Sequence, residues 1–480
     1  MSETTKCIMI AAPSSGSGKT TFTCGLLRIL KDMGLDPVSY KCGPDYIDPM
    51  FHRQVLEIGS RNLDSYLMNE TQIKHALGAA GNHPAVVEGV MGIYDGTDVR
   101  GISGSSYEIA LMCRIPIILC LDARGTGRTL ISIIKGILAD DTGHLIKGIV
   151  LNRISPGFYE KTAPVLTGEL ADAGYHDVRL LGFMPKADEI AIGSRHLGLM
   201  LPGEIPDIRE RIAGIARLIT GHIDIDSILR IMDKPGENAE SVADDETGRG
   251  TPGTDTSEAF TPGADIPKPV LAVARDEAFC FYYQDNIELL EQMGVEVKYF
   301  SPIHDERIPE DADGLLLGGG YPELFLKELA GNRSMLDSVR NAIRGGMPSL
   351  AECGGFMYLH ESVYDRDQTG YSLTGVIDGE CRYTGHLVRF GYMYIRSCDE
   401  PEGPASALPG IRGHEFHYYE SSLNGNACTC AKPDGTEWKG MIADSVSLWG
   451  FPHLYYGSKP EFAEAFTNSM RRYERTGLNE

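Results

Sequence analysis

No uninterrupted apolar run in the 480 residues reaches the roughly 18 needed to cross a bilayer, so no transmembrane helix is expected. The opening residues, MSETTKCIMIAAP, hold one lysine and lead straight into a glycine-rich loop, unlike a cleaved secretory signal. A cytoplasmic location is the expectation. Cysteine pairing signals are also missing: the 11 cysteines are thinly spread and none forms a CxxC pair. Cys113, Cys120 and Cys280 sit in apolar runs, where a thiol behaves as a small hydrophobe. Cys428 and Cys430 are closest in sequence, but one intervening residue suits neither a zinc knuckle nor a redox motif, and no disulfide framework is expected. Positive charge is scarce. With 44 Lys and Arg against 67 Asp and Glu, the net charge of −23 excludes nucleic acid and anionic membrane as expected partners, since both need a basic face. An anionic substrate must therefore be gripped by local features. No internal repeat of fixed period is present.

What the chain does have is 42% hydrophobic residues, enough for two or three domains of about 100–200 residues, of which two are expected. Short apolar, partly β-branched runs at 7–12, 85–88, 115–121 and 146–151 alternate with longer segments, the pattern of buried parallel strands and helices. Phe22, Leu26, Leu27, Leu30 and Met33 recur at helical spacing and Gly34 supplies a stop. Residues 232–268 are dominated by Gly, Pro, Ser, Thr and acids and read as a flexible acidic linker whose role stays open. Alternation restarts with strands at 270–274, 295–300, 314–317 and 347–351 and helices at 284–293 and 323–344. The expected organisation is an α/β domain at 1–231, the linker, and a second α/β domain at 269–480.

Chemistry concentrates at two places. Ser15, Gly16, Ser17, Gly18, Lys19 and Thr20 follow a strand and open a helix, the geometry that aims backbone N–H groups at phosphate oxygens. Lys19 is positioned for the β and γ phosphates of ATP and Thr20 for Mg²⁺. The loop departs from the GxxxxGK pattern at its first position, where Pro13 stands. Glu88 ends the run AVVE as a second Mg²⁺ candidate, and KCGPDYIDP adds Lys41, Asp45, Tyr46 and Asp48, with Asp64 in RNLDSY. Turns around Pro44 and Pro49 are the competing explanation for that cluster.

The second place is AECGGF. Cys353 lies between an apolar strand and a predicted helix, with small neighbours that permit a sharp turn and a helix dipole that favours thiolate. Upstream, Gly318, Gly319 and Gly320 offer N–H groups for an oxyanion, with Gly354 beside the nucleophile; downstream, His453 offers a base. His414 and His417 have HExH spacing, which does not fit the HExxH of zinc hydrolases; a substrate contact or a packing role remains for them.

The GSGKT loop, KCGPDYIDP, NLD, EGVMGIYDG, RDEAFCFYYQDNIELL, GGGYPE, AECGGFMYL and RGHEFHYYES together resemble the cobyrinic acid a,c-diamide synthase family over nearly the whole chain. That resemblance implies a P-loop, parallel-sheet domain like dethiobiotin synthetase, followed by an α/β class I glutamine amidotransferase domain. It further implies Mg²⁺ and ATP phosphorylating a tetrapyrrole carboxylate, and ammonia from L-glutamine displacing the phosphate. By the same resemblance Cys353 is the nucleophile, His453 its activating base and Asn152 an adenine contact. Thr20, Asp45 and Glu88 surround Mg²⁺, while Lys41, Tyr46, Asp48, Asp64 and Asp95 surround the reacting carboxylate. Many class I amidotransferases carry an acid two residues after the histidine; here Tyr455 stands there, which makes a Cys/His pair the working expectation.

Three rivals share features. Nickel sirohydrochlorin a,c-diamide synthase performs the same chemistry on another ring. Cobyric acid synthase has the same domain order, but KCGPDYIDP favours the a,c enzyme. Partition and cell-division ATPases resemble the first half, yet usually carry a second lysine where Ser14 stands. Oligomeric state stays open, a homodimer included.

Overall fold

The computed structural model describes residues 6–186, 194–195, 198–199, 205, 207–233, 268–400 and 402–473. Most of the acidic linker, 234–267, lies outside the described residues. The chain divides into two compact units, Met1–Gly248 and Arg249–Glu480. Among the described residues no helix is long and apolar enough to cross a membrane.

In the first unit seven strands form one parallel sheet: β1 (Cys7–Ala11), β2 (Val38–Cys42), β3 (Ser60–Leu63), β4 (Ala85–Glu88), β5 (Ile117–Asp122), β6 (Ile146–Asn152) and β7 (Arg179–Met184). Their spatial order is β3-β2-β4-β1-β5-β6-β7. β1 is buried along its whole length, as a strand covered on both faces must be, which is why it reads as continuous apolar sequence. Register sets the chemistry. Glu88 pairs with Ile10 of β1 on one side and with Lys41 of β2 on the other, so a carboxylate and an ammonium meet at the carboxyl end of the central strands, where α/β sheets bind ligands. The helix α1 (Lys19–Asp32) follows β1, buries Phe22, Leu26, Leu27 and Leu30, and ends at Gly34, whose φ of 74° completes the cap. A side chain at Gly25 would collide with Ile215 and Ile219 of the helix Ile208–His222, so the missing Cβ lets the two helices approach.

The second unit holds a six-stranded sheet in the order Glu296–Phe300, Val270–Ala274, Gly314–Leu317, Ser349–Glu352, Leu448–Gly450, Ile442–Ala443. All of its pairings are parallel except the last. Beside it stands a five-stranded antiparallel sheet in the order Glu437–Gly440, Cys428–Ala431, Arg389–Cys398, Arg412–His417, His453–Tyr455.

Two expectations are corrected here. The single helix at 323–344 is instead a 3₁₀ turn Pro322–Leu324, a helix Leu326–Gly331 and a helix Arg333–Arg344. Asn332 makes the break: its Oδ1 accepts from Met335 N, and its Nδ2 donates to Pro302 O at 3.0 Å and Asp305 O at 2.8 Å. The cysteines are not all free either. Cys398 and Cys428 face one another across adjacent antiparallel strands and form a disulfide, with Cα atoms 4.1 Å apart. Sequence spacing conceals this pair, because 30 residues separate partners that the strand register brings together.

Candidate functional site

The loop after β1 turns at Gly16 and Gly18, whose φ values of 74° and 100° are left-handed and suit glycine. A Cβ on Gly18 would stand 2.0 Å from Asn152 Nδ2. From below, Asn152 Nδ2 donates to Ser17 O at 2.8 Å and Arg153 Nη1 to Gly16 O at 2.7 Å, pinning the loop to the end of β6. α1 begins without a side-chain cap and without an acid in its first turn, so the positive end of its dipole is left for an anion. Lys19 folds back across the loop, donating to Ser14 O at 3.1 Å and Met91 O at 2.6 Å. Burial, with the Lys41 charge nearby, lowers its pKa to about 8.

Beside the loop lies a buried charge cluster. Thr20 Oγ1 donates to Glu88 Oε1 at 2.6 Å and lies 3.5 Å from Asp48 Oδ2. Lys41 Nζ stands 2.5 Å from Asp48 Oδ2, 2.8 Å from Glu88 Oε1 and 4.0 Å from Asp45 Oδ2. Burial opposes the Lys41 charge, but Asp48, Glu88 and Asp45 outweigh it and hold the ammonium well above its ordinary value. Glu88 is raised to about 7 by burial, with Lys41 offsetting part of the effect. Asp45 is raised to about 6 by burial and by the Asp48 charge. Asp48, although buried, is held below the usual range by Lys41.

The fully buried Glu88 Oε2 accepts no hydrogen bond and lies 3.8 Å from His52 Nε2. His52 is kept neutral by burial, with its pKa lowered to about 4, and its Nδ1 is 2.9 Å from Ser39 Oγ. Hard oxygen donors with one buried carboxylate oxygen in reserve fit Mg²⁺. Among the described residues no three His, Cys, Asp or Glu side chains make a ready-built metal cage. Mg²⁺ is commonly held by one or two carboxylates plus phosphate oxygens. Thr20, Glu88 and Asp48 would hold it, and it would supply charge neutralisation on the phosphates.

In the second unit Cys353 ends the strand Ser349–Glu352 at φ 49° and ψ −101° and caps the helix Gly354–Tyr358. Only glycines permit so tight an elbow: a Cβ on Gly355 would meet Leu317 O at 2.0 Å, and one on Gly354 would meet Pro322 Cδ at 2.9 Å. Contrary to the dipole expectation, the thiol is pushed up, by burial first and then by the Glu323 and Glu415 charges. A five-residue helix offers little dipole against those terms. The imidazole of His453 lies on Gly319, where a Cβ would come within 2.3 Å of its Cε1, and stacks on His414 at 4.9 Å between centroids. Burial, with His414 and His417 adding to it, holds His453 well below its ordinary pKa.

Two family models match the chain: the CobQ/CobB/MinD/ParA nucleotide binding domain over residues 8–199 and the CobB/CobQ-like glutamine amidotransferase domain over residues 270–451. The cobyrinate a,c-diamide synthase of Clostridium tetani is 35% identical over 467 residues, 96% of this chain and 99% of that protein. Those of Fusobacterium nucleatum and Picrophilus torridus are each 34% identical, over 96% of this chain and 99% and 98% of their own lengths. The chain belongs to the cobyrinate a,c-diamide synthase family. As a member of that family it is a glutamine-hydrolysing carbon–nitrogen ligase with a nucleotide-binding domain.

For a cobyrinate a,c-diamide synthase family member, the sequence-read residues sort clearly. The structure gathers Lys19, Thr20, Lys41, Asp45, Asp48 and Glu88. Asn152 supports the loop from beneath through its amide. Asp64 Oδ1 caps Tyr66 N and Leu67 N, Asp95 Oδ2 accepts from Gly92 N at 2.9 Å, and Tyr46 is the residue before the helix Ile47–Val55. Gly318 does not offer a free N–H, since it donates to Tyr282 Oη at 2.9 Å. Gly319 and Gly320 pair with Phe281 and Phe279, and Gly354 opens the helix after Cys353. His414 and His417 lie on opposite faces of one strand, stacked on His453 and Phe451 and within reach of Tyr283 Oη and Glu415 Oε2. Sequence reasoning did not single out His52, Arg153, Tyr282 or Glu352, although Tyr282 lies within RDEAFCFYYQDNIELL and Glu352 within AECGGFMYL.

Proposed function

We propose that this chain amidates the a and c acetate carboxylates of cobyrinate, using Mg-ATP and glutamine. Residues 1–231 serve as the ligase and 269–480 as the glutaminase. The observation that carries this reading is the juxtaposition, in a chain of this family, of Thr20, Lys41, Asp48 and Glu88 beside an uncapped phosphate loop. A carboxylate is a poor electrophile, and transfer of the γ-phosphoryl group to it makes an acyl phosphate from which ammonia displaces phosphate. Lys19, with its pKa near 8, faces the transferred group, and Lys41 offsets the charge of the incoming carboxylate.

Ammonia comes from glutamine. His453 takes the Cys353 proton; the thiolate attacks the side-chain amide carbon, the C–N bond breaks, and His453 returns the proton to the departing nitrogen. Water then releases glutamate from the thioester. Gly320 and Gly354 are the N–H donors for the oxyanion. Because both His453 and Cys353 are held neutral by burial, the ion pair forms only as substrate arrives.

The test offers cobyrinate with Mg-ATP and either glutamine or ammonium, and counts amides by mass spectrometry. Cys353→Ser is expected to abolish glutamine-dependent product and keep the ammonium-dependent product. Lys19→Ala is expected to abolish both. Loss of both in Cys353→Ser refutes the two-site mechanism. Diamide on nickel sirohydrochlorin but not on cobyrinate refutes the substrate.

A further inference from the structure

Tyr455 occupies the position, two residues after His453, where many class I amidotransferases carry an acid. Its hydroxyl points elsewhere, donating to Asp285 Oδ2 at 3.2 Å. We propose that Glu352, the residue immediately before the nucleophile, is the positioning carboxylate for His453. This rests on the reading of Cys353 and His453 as the glutaminase pair.

Glu352 Oε2 lies 4.0 Å from His453 Nδ1. Its other oxygen is fixed from the histidine's own segment, accepting from Tyr456 Oη at 3.2 Å and from Leu454 N at 3.4 Å. That segment is itself clamped: Asn286 Nδ2 donates to Leu454 O at 2.8 Å, and Tyr456 N donates to Asn286 Oδ1 at 2.8 Å. Topology brings the two side chains together. Glu352 pairs in register with Gly450 on the neighbouring strand, and the chain reaches His453 three residues later. The elbow at Cys353 then turns the thiol away from the strand direction, so one short stretch supplies both the nucleophile and the group behind the base.

His414 stacks on the His453 ring and Gly319 lies at its Cε1. Burial raises Glu352 to about 8 beside a neutral imidazole. Where Glu352 is ionised, its carboxylate stabilises the imidazolium formed when His453 accepts the Cys353 proton, and no proton leaves Glu352 in that step. The expected consequence is stabilisation of the charged pair and restraint of the ring, without contact to glutamine.

Glu352→Gln is the discriminating variant, because its amide oxygen keeps the acceptor for Leu454 N and Tyr456 Oη while the charge is gone. In the full-length chain, kcat for glutamine hydrolysis is expected to fall on the order of 100-fold or more, with KM for glutamine within about threefold and ammonium-dependent amidation retained. A kcat within about threefold of the parent overturns the proposal, since a merely structural glutamate is replaced by Gln at little cost. Should Glu352→Gln fail to fold, Glu352→Asp decides by the same split, as it retains the charge but withdraws it by one methylene. Persistence of hydrolysis in Cys353→Ser would instead sink the nucleophile assignment. Hydrolysis lost in Cys353→Ser but kept in Glu352→Gln removes this inference alone.

Discussion

Lys41→Met removes the ammonium from the buried cluster of Asp45, Asp48 and Glu88 in the first unit and leaves an unbranched stem in place. Lys41 is 4% exposed, Glu88 is 0% and Asp48 is 5%, so solvent cannot replace the lost cation. Breaking a buried pair on one side costs about 3–5 kcal/mol because the partner charge is stranded. A domain's whole stability is about 5–15 kcal/mol, so the variant is expected to fold but to open readily. The deficit must depend on pH. In the parent, Lys41 holds Asp48 below its ordinary value; a depressed carboxylate contributes stability above its unfolded pKa and loses it as pH falls. Without Lys41, Asp48 and Glu88 are both raised above their unfolded values of about 4, so their burden appears as pH rises. The variant should therefore approach the parent near pH 4 and fall furthest behind at pH 7–8, where about 3 kcal/mol is expected.

The choice of assay matters, because both tryptophans, Trp438 and Trp449, lie in the second unit and intrinsic fluorescence would miss the event. Hydrogen exchange of the β1, β2 and β4 amides reads it directly. A second variant isolates the cause: Glu88→Gln in the Lys41→Met background should recover at least about 1 kcal/mol, as neighbouring groups couple. A deficit below about 1 kcal/mol at pH 7.5, or one that does not change with pH, would refute the stranded-charge reasoning.

Gly18→Ala places a methyl at φ 100° and against Asn152 Nδ2, so the phosphate loop must shift; amidation should fail with either nitrogen donor while glutamine hydrolysis continues, measured as glutamate release. Gly319→Ala pushes a Cβ within 2.3 Å of His453 Cε1, and a ring displaced by about 1 Å should lower kcat for glutamine hydrolysis by about 100-fold, with ammonium-dependent amidation intact.

The parallel strands were the most legible part of the chain, for a physical reason. Runs such as Ala85–Glu88 and Gly314–Leu317 are buried on both faces, so their composition alone marks them, and their ends agree with the structure residue for residue. The antiparallel strands were not legible. Arg389–Cys398 mixes buried Met393 and Ile395 with half-exposed aromatics, and the run Cys428–Ala431 is too short to show a period. Helix breaks were hidden as well, since Asn332 ends one helix and starts the next through loop carbonyls that only the fold supplies.

The phosphate loop and the cysteine elbow announced themselves because both are local: backbone geometry demands glycine at Gly18 and Gly355, and the motif is the demand. What supports them is non-local and left no trace. His52 reaches Glu88 across 36 positions, and Glu352 meets a histidine 101 positions later. The same distinction explains the thiol. Sequence placed Cys353 at a helix start and inferred a favoured thiolate from the dipole, but only the fold reveals that the helix is five residues long and that burial, then the charges of Glu323 and Glu415, oppose the thiolate. A thiol and an imidazole both held neutral form a resting site that waits for an electrophile. Charge separation then has to be supplied within the site, and the carboxyl group of Glu352 is placed where the positive half of that charge will fall.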